Sequence, residues 1–359
     1  MSVMPATRTQ PPGLVTRHAG HLRLLALLVA LACLGLAVLG IGQVQLSPTE
    51  VIAGLVGGPA QGREHHIVVA LRLPRLLTGC LCGAAMGIAG LLMQTLFRNP
   101  LADPWSMGLT AGGQLGAAVV VVAGAVVGAD WLSGLGALAD ASTVAGAMAG
   151  TAAVAAAMTA LARRVSTVTL LVLGLMLGFL AQSLISVLLH FTNRTQGRIF
   201  ASWNDGNLAG VTWADLPTLG GCILVGALLA LAIAKPLSAL LIGEQYAESM
   251  GVRVPRLRRL TLLATVLLAA PVTAYCGPLI FIGLIVPHIA RALIGTTTVL
   301  ALLLPVAVVG ALLAVAGDFV VHLPWDQHWL HLNAILALLG APVVIALLLL
   351  SRELKGELG

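Results

Sequence analysis

The chain has 359 residues, 59% of them hydrophobic and only 9% charged, with a mean hydropathy of +1.02. A soluble domain of this size cannot hide so much apolar surface, so the composition excludes the soluble classes and predicts an all-α, polytopic membrane protein. The net charge of +6 comes from 19 Lys and Arg against 13 Asp and Glu.

With roughly 20 residues per crossing, the apolar runs predict about ten transmembrane helices, near 23–43, 75–96, 106–127, 142–162, 167–190, 216–234, 260–276, 278–294, 297–317 and 332–351. Residues 1–22 form a polar leader and 352–359 a tail, on either side of a ten-helix domain over 23–351. The first run is preceded by Arg8, Arg17 and Arg23, and no small-residue cleavage site closes it, so that run is expected to be a retained helix. The cysteines, Cys33, Cys80, Cys82, Cys222 and Cys276, all lie in apolar runs without metal-type spacing and are expected as small core residues.

If both termini are cytoplasmic, one face collects Arg8, Arg17, Arg23, Arg98, Arg163, Arg164, Lys235, Arg253, Arg256, Arg258, Arg259, Arg291, Arg352 and Lys355. The opposite face keeps Arg63, Arg72, Arg75, Arg194 and Arg198, a split of 14 to 5 that the positive-inside rule reads as an even helix count with a cytoplasmic cationic face. The positive charge thus orients the chain in a lipid bilayer, and no nucleic-acid partner is implied.

Between the second and third runs lies Arg98-Asn99-Pro100-Leu101-Ala102-Asp103-Pro104. Backbone interrupted by two prolines cannot face lipid with its polar groups unpaired, so this hinge must sit at a membrane face or line a protein-walled path. No Asp or Glu falls in the central part of any run, which disfavours an ion-coupled secondary carrier. Neither lysine follows the glycine that a phosphate-cradling loop requires, so any ATP chemistry must come from a partner. No H-E-x-x-H or G-x-S-x-G pattern supports a membrane enzyme, and no metal site is expected on this chain. Gly83/Gly87, Gly146/Gly150 and Gly174/Gly178 are spaced for close helix packing in lipid.

Five motifs follow in order: Arg72-Leu73-Pro74-Arg75; the hinge from Arg98 to Pro104; Trp203-x-x-Gly206-x-Leu208 with Trp213; Leu241-x-Gly243-Glu244-x-x-Ala247-x-x-x-Gly251-Val252; and Gly283-Leu284-Ile285-Val286-Pro287-His288-Ile289-Ala290-Arg291. In that order and spacing the chain, from about 45 to 350, resembles the FecCD family, the permeases of ABC importers for ferric siderophores, haem and cobalamin. The resemblance implies a type II ABC importer permease fold in a bacterial inner membrane and alternating access. The partners it implies are two ATPase subunits that bind ATP and Mg, a periplasmic binding protein, and a second permease subunit as homodimer or paralogous heterodimer.

The resemblance also assigns residues. The loop with Gly243, Glu244, Ala247 and Gly251 corresponds to the coupling helix that docks on the ATPase, and an amphipathic face of Leu240, Leu241, Ala247 and Met250 fits that role, although the following arginines would also suit anionic lipid. Asn99 and Leu101, with Ser166 and Thr167, correspond to a cytoplasmic gate, while Ser166 equally suits a helix cap. Arg72 and Arg75, three apart on one helical side, correspond to arginines that receive glutamates of the binding protein, or else act as interfacial anchors. His322 stands where the family carries a third such arginine, and Trp329-Leu330-His331-Leu332-Asn333 replaces the Glu-Leu-Pro-Val-Gly pattern that usually opens the last helix. Arg198 and Trp203 are expected along the substrate pathway. His65, His66, His190, His322, His328 and His331 lie towards the outer side, as interfacial polar residues or as iron ligands. An iron-siderophore cargo is the expectation, with haem or cobalamin as the alternative.

Overall fold

A computed structural model describes residues 14–57, 62–127, 136–161, 164–165, 167–192, 194–324 and 330–356. The described residues form an all-helical bundle. Its elements are α1 (Leu14–Gly40), α2 (Pro48–Val56), α3 (Gly62–Phe97, with a π-helical stretch at His66–Arg72), α4 (Leu109–Val127), α5 (Gly136–Leu161), α6 (Thr167–His190) and α7 (Arg194–Asn204). They continue with α8 (Leu216–Ala239), α9 (Glu244–Ser249), α10 (Val254–Cys276), α11 (Ile282–Ile294), α12 (Val299–Val321) and α13 (Leu332–Gly356). Each predicted crossing has its helix. α1 starts at Leu14, so the end of the expected polar leader is already helical.

Among the described residues, α1, α3, α5, α6, α8, α10 and α12 are long and apolar enough to cross a membrane, while α4, α11 and α13 hold shorter apolar stretches. The shortness of α11, at 13 residues, has a structural cause: residues 277–281 after α10 form a non-helical link in place of its first turn. The glycine pairs mark where helices touch. A methyl group at Gly83 would collide with the Gly310 carbonyl, and one at Gly87 would press on Val306, which fixes the antiparallel crossing of α3 and α12. Gly146 and Gly150 meet Gly116 and Gly112 in the same way between α5 and α4, and Gly174 and Gly178 accept the chain at Met107–Gly108. All three predicted pairs therefore act as packing contacts, where small residues let backbones approach.

Two ends of the bundle can be named by their short helices. At the α9 end, Arg23 donates to the Leu293 carbonyl at 2.6 Å and Arg291 to Gln94 Oε1 at 2.7 Å. At the α7 end, Trp213 Nε1 reaches the Val69 carbonyl at 2.8 Å, and α2 opens with a capping box in which Ser47 and Glu50 exchange hydrogen bonds. Those bonds hold the Glu50 carboxyl below its ordinary range.

Candidate functional site

The chemistry-bearing residues gather in four places along one axis of the bundle. At the α7 end, Arg198, Ser202, Trp203, Asn207, Gly210 and Tyr275 line an open cavity of about 400 Å³. Arg198 and Trp203, expected together on the pathway, do share this mouth. Its floor is tied down by backbone contacts: Trp203 Nε1 donates to the Ala274 carbonyl at 3.2 Å, and the Asn207 amide to the Cys276 carbonyl at 2.9 Å. Gly277, at φ +74°, lies so close to the Trp203 carbonyl that no side chain fits there. Asn333 closes the cluster. Its Nδ2 donates to the carbonyls of Pro278 (2.7 Å) and Asn204 (3.2 Å), and its Oδ1 accepts from the Ile280 amide at 3.3 Å. Below the mouth, Gln182 donates to Gln114, which in turn donates to Asn204, so a chain of amides centred on buried Gln114 links α6, α4 and α7.

The arginine motif is placed differently from its sequence reading. Arg72 is buried, and its guanidinium donates to the carbonyls of Leu39 (2.6 Å) and Val44, clamping the turn after α1. It does not present a free fork beside Arg75. The reason is local: the π-helical stretch ending at Arg72 carries that side chain back over the end of α1. Arg75 forms an ion pair at 3.0 Å with Asp318, a carboxylate only 3% exposed, and His322 Nδ1 lies 3.2 Å from the other oxygen of the same carboxylate. His322 also closes the end of α12 through the Asp318 carbonyl at 2.9 Å. Arg75 and His322 thus converge on one buried anion while Arg72 belongs to another contact.

The hinge also departs from a simple surface loop. Arg98 caps α3 in the left-handed region, at φ 46°, and the Asn99 side chain accepts from the Leu101 amide at 2.9 Å in a one-residue turn. Ala102, Asp103 and Pro104 are then buried beside Gly283, while Leu101 and Trp105 stay exposed. Gly283 itself abuts Gly90, seven residues before the end of α3. The chain therefore re-enters the bundle by about 10 Å at 1.5 Å per residue, lining a protein-walled position. Asp103 and Ser106 exchange side-chain and backbone hydrogen bonds, at 2.7 and 3.0 Å, to start the next turn. Burial nevertheless pushes the Asp103 carboxyl above its ordinary range. Of the other expected gate residues, Thr167 opens α6 and Ser166 lies outside the described residues.

At the opposite end, α9 is six residues long and closed by a two-bond C-terminal motif. The Val252 amide donates to the Ala247 carbonyl at 3.0 Å and the Gly251 amide to Glu248 at 2.9 Å, with Gly251 at φ +84°. The expected amphipathic face is divided. Leu240 and Ala247 point into the core, and Ile242, Tyr246 and Met250 project outward with Leu241. Ala247 is therefore an anchor of this helix and not part of its exposed face. Glu244 pairs with Arg258 at 3.1 Å, and with Glu248 and Arg259 they line an open polar cavity of about 670 Å³.

Sequence reasoning missed Tyr275, Asn204 and the Gln114–Gln182 pair. The isolated amides inside apolar runs were the available signal, because polar side chains at membrane depth are rarely idle. Among the described residues no three His, Cys, Asp or Glu side chains gather where they could hold a metal ion. His65 instead bonds the Gly54 carbonyl at 2.9 Å, His331 lies 3.6 Å from Asp205, and His328 falls outside the described residues.

The model of the FecCD transport family matches residues 26–350. The chain belongs to the FecCD transport family. The FecCD match agrees with curated relatives that span most of the chain. The ferric enterobactin transport system permease protein FepG of Escherichia coli K12 is 31% identical over 337 residues, covering 93% of this chain and 98% of that protein. The vitamin B12 import system permease protein BtuC of Salmonella paratyphi A is 32% identical over 292 residues, covering 81% and 86%. The achromobactin permease CbrC of Dickeya dadantii is 33% identical over 271 residues, covering 75% and 74%. A solved chain, assigned to the metal-chelate type of ABC transporter and captured inward-facing, superposes with a TM-score of 0.77 at 24% identity over 92% of this chain. The fold of this FecCD member is accordingly that of a type II ABC importer permease.

Proposed function

We propose that this chain is the permease subunit that passes an iron-siderophore complex from a periplasmic binding protein to the cytoplasm, driven by two ATPase subunits that carry ATP and Mg. The observation that carries the reading is the pairing of a mouth cavity lined by Arg198, Trp203 and Tyr275 with a short helix, α9, flanked by exposed Ile242 and Met250 at the other end of the same bundle. A second permease subunit, identical or paralogous, completes the path. The α9 end faces the cytoplasm of a bacterial inner membrane, with both termini there, because that topology assigns fourteen of the 19 Lys and Arg of the sequence to the cytoplasmic side.

The residues take the following roles. Ile242, Tyr246 and Met250 seat in the ATPase, with Gly243, Glu244 and Gly251 shaping the helix that carries them. Asn99, Leu101, Ser166 and Thr167 form the cytoplasmic gate. The Arg75–Asp318–His322 cluster, more than Arg72, meets the binding protein. A large chelate suits a wide, weakly polar passage, whereas a bare cation would find no carboxylate in the central part of any predicted crossing. Proteoliposomes holding the whole complex should take up iron presented as a catecholate chelate with ATP and ignore free ferric ion. Uptake that instead needs an ion gradient and no ATP would overturn the importer reading. Cobalamin is the second cargo to test, because the BtuC relatives are vitamin B12 permeases.

A further inference from the structure

Two sulfurs meet in the core just beneath the mouth. Cys82 of α3 and Cys276, the last residue of α10, are 194 positions apart in sequence, yet their Sγ atoms lie 3.5 Å from each other and both side chains are fully buried. Cys33, by contrast, is exposed on α1, and Cys80 and Cys222 are half-buried. Burial alone fits a cysteine that serves as a small apolar filler. The backbone on either side adds a second observation, because it keeps each sulfur where the other is. Gly83, next to Cys82, lies so close to the Gly310 carbonyl that a methyl group would collide with it, and Gly277, next to Cys276, lies against the Trp203 carbonyl in the same way. Cys276 also gives its own carbonyl to the Asn207 amide at 2.9 Å.

Two thiols held in contact react as an intramolecular pair, with the high effective concentration that proximity confers. Sulfurs in a disulfide are about 2.05 Å apart, so each needs to move by less than about 1 Å from its present place to reach bonding distance. The pair also has a route to solvent. Tyr275, the residue before Cys276, lines the open mouth cavity together with Asn207, so the thiols lie one residue inside the cavity wall.

We infer that Cys82 and Cys276 form a site of oxidative modification, closed to a disulfide by a small uncharged oxidant of the peroxide class, and that the closed form fastens the floor of the mouth to α3. In the first step one thiol sulfur attacks a peroxide oxygen, the O–O bond breaks, and a sulfenic acid and one water form. In the second the neighbouring thiol sulfur attacks the sulfenic sulfur, the S–O bond breaks, and the hydroxyl leaves with the thiol proton as a second water. The two thiols lose two electrons and two protons, and the peroxide is reduced to water. The mouth floor is bonded to the end of α10 through the Asn207 amide and the Trp203 side chain, while α3 packs on α8, α10, α11 and α12. The new bond therefore joins the mouth to the central helix, whatever cargo the chain carries.

Membranes holding the native chain are treated with hydrogen peroxide, the remaining thiols are alkylated in denaturant, and the cysteines are mapped by mass spectrometry. A cross-link between the tryptic peptides 76–98 and 260–291 is expected, reversed by dithiothreitol, retained in Cys80→Ala and absent from Cys82→Ala and Cys276→Ala. In the oxidised chain, amide exchange at residues 204–207 should slow about fivefold or more, and the unfolding midpoint should rise by about 3–5 °C. Recovery of Cys82 and Cys276 as alkylated thiols while Cys33 is oxidised would overturn the site, as would their separate conversion to sulfinic acid without a cross-link. A cross-link that leaves exchange at residues 204–207 unchanged would overturn its role at the mouth. If a variant does not reach the membrane, mapping and exchange of the native chain decide among these outcomes without it.

Discussion

Replacing Arg75 by alanine tests the buried ion cluster directly. Asp318 is 3% exposed, faces Arg75 at 3.0 Å and has His322 at 3.2 Å as its other partner. Removing one member of a buried pair leaves the other desolvated and uncompensated, a loss of about 3–5 kcal/mol. The purified permease in detergent, followed by thermal or denaturant unfolding, reads the effect. Replacing Arg75 and Asp318 together by leucine should recover most of the stability, because the double change leaves no orphan charge. An Arg75→Ala variant as stable as wild type, or a double variant no better than the single one, would refute the intramolecular pairing and return Arg75 to the surface as a free docking fork.

Other perturbations separate packing, coupling and protonation. Gly90→Ala places a methyl against the Gly283 carbonyl and should cost about 1–3 kcal/mol or block assembly, whereas Gly221→Ala, with open space around it, should be silent in the same unfolding assay. Glu244→Arg should abolish ATP-driven uptake yet lower stability by no more than about 1 kcal/mol, because its pair with Arg258 is partly exposed. Uptake equal to wild type at equal expression would remove α9 from the coupling role. Asp103 has its carboxyl raised by burial, so the folded state favours the protonated form. Its contribution to stability is present at pH below the ordinary carboxylate range and is lost as pH rises through the raised value. The drop in stability between about pH 4 and pH 8 should therefore shrink in Asp103→Asn, which keeps the Oδ1 acceptor for the Ser106 amide.

The crossings were legible because a run of apolar residues near bilayer length has one main physical solution. The glycine spacings were legible as well, since Gly83 and Gly146 each mark a real helix contact and Gly174 a contact with the turn before α4. Side-chain direction was not. Arg72 and Arg75 lie three apart, which an ideal helix would place on one side, yet the π-helical stretch before Arg75 sends Arg72 to the carbonyls of Leu39 and Val44. Ala247 and Met250 likewise read as one face, but a helix of six residues ended by Gly251 buries the first and exposes the second. The re-entry of residues 102–108 needed knowledge of Gly283, almost two hundred positions away, and no local pattern carries that.

Asn333 explains why the chain can depart from the family pattern at the start of its last helix. A proline and a glycine there would constrain the backbone through its own geometry. Asn333 instead ties the helix down through its side chain, with two donor bonds to the Pro278 and Asn204 carbonyls and one acceptor bond from Ile280. Three bonds at a site shielded by the α10–α11 turn hold α13, that turn and the end of α7 to one another. The same Asn204 receives Gln114 from below. Asn333→Ala should therefore loosen the mouth as a unit, with faster amide exchange at residues 204–207 and 277–281 together. Faster exchange at only one of those segments would mean that the mouth is held by local turns and not by this shared side chain.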